Sequence, residues 1–120
     1  MSTSPLHGKT AVVTGAGAGI GRALAVELSR RGARVACSDI DQAGVNQTVE
    51  LCGGEAAAFV VDVSDRVAMD ELAQSVVDRF GVVHQIYNNA GIALNTKVID
   101  STWNDYDRLL RIDLNGVIHG

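Results

Sequence analysis

The chain has 120 residues, of which 47% are hydrophobic and 20% charged, the balance of one globular domain rather than a disordered segment. A net charge of −4 and an aromatic content of only 4% argue against nucleic acid and against an anionic membrane surface as partners. The first residues lack a basic-then-apolar leader, and no apolar run approaches the roughly 20 residues that span a bilayer. Cys37 and Cys52 lack the spacing of a redox or metal pair. The expectation is therefore a cytoplasmic protein with both thiols used as small hydrophobes.

Short apolar runs alternate with longer helical patterns. Thr10–Thr14 reads as a buried strand, followed by a helix over Gly19–Arg31 with Ile20, Leu24 and Leu28 on one face and Gly32 as its stop. Arg34–Ser38 is a second strand and Gln42–Cys52 a weaker helix, with Asp41 as its cap. Ala56–Val61 is a third strand. Ser64 or Asp65 caps a helix over Arg66–Phe80, where Met69, Leu72, Val76 and Phe80 recur at helical spacing. Val83–Asn88 is a fourth strand, and a last helix opens at Ser101 or Thr102 and runs to about Ile118. Strands that are apolar throughout, separated by helices, form a parallel sheet covered on both faces. Right-handed crossovers give the strand order 3-2-1-4. The fold class is α/β, a Rossmann-type domain over residues 1–120.

Between the first strand and first helix lie four glycines in seven residues, Gly15–Gly21. Each costs roughly 0.5–1 kcal/mol relative to alanine inside a structured element, so the cluster requires a cause. At this place in a Rossmann-type sheet a pyrophosphate binds: one glycine makes the turn, another admits the phosphate, and a third lets the helix approach the strand. Asp39 ends the second strand, 24 residues beyond Gly15. A carboxylate there accepts from ribose hydroxyls and repels a 2′-phosphate. Ala18 and Ile40 supply no compensating positive charge, so the cofactor expected is NAD rather than NADP.

The ordered motifs resemble those of the classical short-chain dehydrogenases/reductases. "TGAGAGIG" (Thr14–Gly21) is similar to that family's TGxxxGxG loop, "DV" (Asp62–Val63) to its adenine-contact pair, and "NNAG" (Asn88–Gly91) to its fourth-strand motif. "STWNDYDRLLRIDLNGV" (Ser101–Val117) resembles the helix carrying its catalytic asparagine, here Asn115. The resemblance implies that Gly15, Ala18, Gly19 and Ile20 line the pyrophosphate and adenosine ribose. It implies that Asp39 and Ile40 hold ribose and adenine, and that Asp62 and Val63 meet the adenine ring. Asn89, Ala90, Gly91 and Ile92 would follow the cofactor toward the nicotinamide ribose. Thr14 and Asn88 instead tie the central strands together. Asp62 as a plain loop cap and Asn88–Asn89 as a plain turn stay open. Arg22 reads as a solvated or ion-paired surface arginine, Trp103 as a packing residue, and His7, His84 and His119 as side chains without ligand spacing.

The family implies hydride transfer between NAD(H) and an alcohol or ketone substrate, with a tyrosine as acid/base, a lysine four residues later, and a serine. This sequence has no Tyr-x-x-x-Lys: the fourth residue after Tyr87 is Gly91 and after Tyr106 is Leu110. An unperturbed tyrosine is a poor base at neutral pH. The expectation is the cofactor-binding half of an NAD-dependent dehydrogenase, truncated after the fourth βα unit and inactive alone. The alternative is a non-catalytic NAD-binding or self-associating module. An open edge on the fourth strand and apolar residues on more than one side of the last helix lead to the expectation of a homo-oligomer.

Overall fold

The computed structural model describes residues 4–91 and 101–120. Its elements are β1 (Thr10–Thr14), α1 (Gly19–Arg30), β2 (Arg34–Asp39), α2 (Gln42–Leu51), β3 (Ala56–Val60), α3 (Arg66–Phe80) and β4 (Gln85–Tyr87), followed by α4 (Trp103–Leu109) and α5 (Gly116–His119). A π-helical stretch, Leu110–Asn115, joins α4 to α5. The four strands form one parallel sheet in the order β3-β2-β1-β4.

Side chains on a strand alternate between its two faces, and here each face has its own core. Ala11, Val13, Val35 and Cys37 point to one side, where Ala25 and Leu28 of α1 and Val45 of α2 cover them. Val12 and Ala36 point to the other and meet Met69, Leu72, Val76 and Phe80 of α3, with Ile112 half-buried against the group. β1 is buried along its whole length because it lies between β2 and β4 and under both layers.

Several boundaries and faces depart from the sequence pattern. In α1 the residues against the sheet are Gly21, Ala25, Leu28 and Ser29, while Ile20 is 80% exposed. The small residues allow close packing, which turns the bulkier Ile20 outward. β4 is shorter than its apolar run because His84 leaves the ladder and binds the start of β1: Thr10 N donates to His84 Nδ1 at 2.9 Å, and His84 N donates to Thr10 O at 3.0 Å. The last helix opens at a capping box, with Thr102 and Asp105 bonded to each other's backbone N–H. Its π-helical stretch breaks the regular period assumed from sequence. Leu114, Val117 and Ile118 consequently lie exposed, whereas Ile112 faces the core.

Asp41 and Asp65 cap α2 and α3 by accepting from Gly44 N and Ala68 N. Both thiols are free; Cys37 is buried and Cys52 half-buried. Among the described residues no helix is long and apolar enough to cross a membrane, and no cluster of His, Cys, Asp and Glu could hold a metal ion.

Candidate functional site

In a parallel sheet every strand ends at the same edge, so the four segments that leave the strands meet there. A cleft of about 560 Å³ opens across them. Gly15, Ala18 and Ile20 come from the loop after β1, Asp39 and Ile40 from the end of β2, and Asp62 and Val63 from the segment after β3. Asn89, Ala90 and Gly91 follow β4. Gly19 heads α1 between two lining residues without itself forming the wall. Ile92 lies outside the described residues.

The glycine loop is shaped by close approaches. Gly15 has φ +67°, and a Cβ there would lie 2.9 Å from Ala90 Cα. Gly21 faces the carbonyl oxygen of Gly15 so closely that any side chain would collide with it. These two positions admit no larger residue; together they bring the loop against the β4 segment and α1 against the loop. Ala18 gives α1 no side-chain cap, which leaves the first-turn N–H groups for an acceptor outside the chain.

Asp39 reaches back to this loop. Its Oδ2 accepts from Gly17 N at 2.9 Å and its Oδ1 from Asp41 N at 3.1 Å. Each oxygen retains a second lone pair for a ligand. Thr14, buried at the end of β1, accepts from Asn89 N and Ala90 N, both at 3.0 Å, and its hydroxyl donates to Tyr87 O at 3.4 Å. The side chain that joins the two central strands alongside Thr14 is Asn89, whose Nδ2 donates to Gly15 O at 3.4 Å. Asn88, expected in that role, is exposed just beyond the end of β4.

Asp62 is exposed and uses one oxygen to bracket Ser64, accepting from its N at 2.9 Å and its Oγ at 2.7 Å. Those bonds, with a smaller contribution from Arg111, hold its carboxyl below the usual carboxylate range. It is therefore an anion at neutral pH, and among the described residues no hydrogen bond reaches its Oδ2. The loop-cap role is thus real and leaves Oδ2 available.

Asn115 is not among the residues that line this cleft. It lines an adjoining depression on the last helix, which shares Arg108 and Arg111 with the cleft. The carboxylate that approaches the Asn89–Gly91 segment is Asp113, whose Oδ1 lies 3.3 Å from where a Gly91 Cβ would be. Sequence reasoning missed Val61, Ser64, Arg108, Arg111 and Ile112 as lining residues. Arg108 and Arg111 are three apart and so share a helix face, but only the tertiary fold brings that face to the cleft.

A Rossmann-type sheet with a glycine loop at its carboxyl edge defines a mononucleotide-binding architecture. The family model described as short chain dehydrogenase matches residues 9–120, and the chain belongs to that family. SadH of Mycobacterium tuberculosis, whose name calls it an oxidoreductase, is 47% identical over an alignment of 120 residues that covers 98% of this chain and 44% of SadH. A sorbitol dehydrogenase of Cereibacter sphaeroides is 37% identical over 94% of this chain and 44% of its own length. A short-chain dehydrogenase/reductase from Burkholderia phymatum, crystallised with NAD, superposes with a TM-score of 0.92 at 34% identity, covering 96% of this chain and 42% of that one. The chain thus spans less than half the length of these relatives.

Proposed function

We propose that this chain binds NAD(H) in the cleft and supplies the cofactor-holding part of a dehydrogenase that exchanges a hydride with an alcohol or carbonyl compound. One observation carries the reading: the glycine loop, the uncapped start of α1 and the Asp39 carboxylate converge on one cleft. Bound NAD would supply the hydride acceptor. The chain's own residues would bind and orient it. The α1 N-terminus favours the pyrophosphate electrostatically, Asp39 accepts from ribose hydroxyls, and Asp62 and Val63 border the adenine. Asn89, Ala90 and Gly91, fixed by Thr14, continue the groove, with Ile92 as the next residue of that path. NAD-bound relatives support the cofactor assignment: the Burkholderia protein and a xylitol dehydrogenase crystallised with NAD+, which has a TM-score of 0.91 at 33% identity.

Asn115, which lines the depression that adjoins the cleft through Arg108 and Arg111, is proposed as the residue that would take part in proton relay beside the cofactor. The acid/base itself would be a group that these residues do not include. Isothermal titration with NADH tests the reading, and absence of binding overturns it. Exposed Trp103, Leu114, Val117 and Ile118 along the last helix favour self-association as a second property. Sedimentation velocity over a range of concentrations checks it, with a concentration-independent monomer as the contrary result.

A further inference from the structure

Arg22, expected to be a surface side chain, is engaged behind the glycine loop. Its Nη2 donates to Gly17 O at 2.6 Å, to Gly44 O at 3.2 Å and to Gln47 Oε1 at 3.1 Å. Its Nε donates to Thr48 Oγ1 at 3.0 Å. The Thr48 hydroxyl, fully buried, donates in turn to Ala16 O at 2.6 Å. Two consecutive loop carbonyls are therefore drawn toward α2. A peptide unit is planar and trans, so its N–H points opposite to its C=O. Holding Ala16 O against Thr48 sends Gly17 N–H the other way, where it meets Asp39. Holding Gly17 O against Arg22 sends Ala18 N–H away from α2, and Ala18 lines the cleft.

Two further features strengthen the arrangement. The first turn of α2 abuts the loop, for a Cβ on Gly44 would lie 2.7 Å from Gly17 O. Among the described residues no carboxylate forms an ion pair with Arg22, so its charge adds to the positive end of α1. The guanidinium has several donors in a rigid fork, which suits a site with carbonyl, amide and hydroxyl acceptors in different directions.

We propose that Arg22 and Thr48 are positioning residues for the cofactor: they fix the orientation of the glycine-loop peptides, and so make α2 part of the binding site although no α2 side chain lines the cleft. This rests on the NAD(H) reading above. The test uses the full chain with three variants, Arg22→Met, Arg22→Lys and Thr48→Val, and two readouts: NADH affinity by calorimetry, and amide exchange of Ala16–Ile20 without cofactor.

The expected result is NADH binding weakened by about tenfold in Arg22→Met, the worth of one or two lost hydrogen bonds, with faster exchange at Gly17, whose N–H is the bonded one. Arg22→Lys should recover only part of the affinity. Thr48→Val should weaken binding and speed exchange at Gly17 while keeping the helical circular dichroism of the unmodified chain. If Arg22→Met fails to fold, the other two variants decide. Full recovery by lysine would mean that charge, not peptide orientation, is the cause, and overturns the proposal. Unchanged affinity and exchange in Thr48→Val and Arg22→Lys overturn it as well. If the unmodified chain binds no NADH, the cofactor reading fails, and the exchange comparison still judges the clamp.

Discussion

The carboxylate of Asp39 and the N–H of Gly17 are joined by a 2.9 Å hydrogen bond, so the end of β2 and the loop after β1 behave as one unit. The residue proposed to choose between cofactors also helps to shape the loop that would hold their pyrophosphate. Asp39→Ala should therefore do two things: narrow the preference for NADH over NADPH and weaken NADH itself. A 2′-phosphate about 4 Å from a carboxylate costs roughly 1–4 kcal/mol, depending on the local dielectric. Titration of both cofactors against both proteins checks this, and an NADPH affinity equal to that for NADH in the unmodified chain refutes the preference.

Gly21→Ala should destabilise the fold by about 1–3 kcal/mol, the usual cost of overpacking, because its methyl group would run into the carbonyl of Gly15. Gly53→Ala, where a Cβ would meet nothing within 4 Å, is the control. Urea denaturation of the two variants should separate them clearly.

Thr14→Val removes the acceptor shared by Asn89 N and Ala90 N. Leaving such donors unpaired costs about 1–3 kcal/mol, whereas Thr14→Ser keeps the hydroxyl and should lie much nearer the unmodified protein. The same denaturation experiment decides, and NADH affinity should fall in parallel because the β4 segment loses its anchor.

The acid limb of stability should carry a small contribution from Asp62. Its carboxyl is lowered chiefly by the Ser64 hydrogen bonds. A group lowered on folding contributes stability that is fully present above its unfolded value, here 3.8, and lost as pH falls through the lowered value. Solvent exposure keeps the effect small. Asp62→Asn should flatten the difference in denaturation midpoint between pH 2 and pH 5, lowering the midpoint slightly at pH 5 and by the same amount at pH 7 while leaving that at pH 2 nearly unchanged.

Burial pushes the Cys37 thiol up to about 12, and burial also raises Cys52. Thiolate is the reactive form, so both should react slowly with a disulfide reagent at neutral pH and rapidly once the chain is unfolded. Fast modification of Cys37 in the native protein would contradict this packing.

The 120 residues alone should not turn over an alcohol with NAD. Tyr87 donates its hydroxyl to Gln85 Oε1 at 2.8 Å, and Tyr106 meets Trp103 edge-on; neither is paired with a lysine among the described residues. A missing acid/base typically costs 10²–10⁴-fold in rate. Steady NADH formation from a panel of alcohols by the pure chain would contradict it.

The parts of the molecule legible from sequence are those set by local pattern. Met69, Leu72, Val76 and Phe80 repeat at helical spacing and are the buried face of α3. Thr10–Thr14, an Ala-Val-Val run between two threonines, becomes a fully buried inner strand. Gly15 follows β1 and Asp39 ends β2, the positions that the βαβ pattern gives them. What was illegible depends on distant partners. Arg22 has no nearby sequence signal for Thr48 or Gln47, since the loop and α2 meet only after β2 pairs with β1. Arg108 and Arg111 reach the cleft through the docking of the last helix. The π-helical stretch Leu110–Asn115 leaves no period that apolar spacing could reveal.

The pairing of β1 has a consequence for how the molecule assembles. Val12 lies beside Ala36 on one side and Ile86 on the other, so the first strand made is the one that acquires its second neighbour last. A chain emerging in order must hold an apolar central strand half-covered while most of the remaining sequence is made. Loop closure over such separations slows folding and prolongs exposure of sticky intermediates. Thr10 is sealed at its far end only when the His84 ring arrives, 74 residues downstream. Nascent chains stopped before residue 84 should therefore be the ones that most need a chaperone.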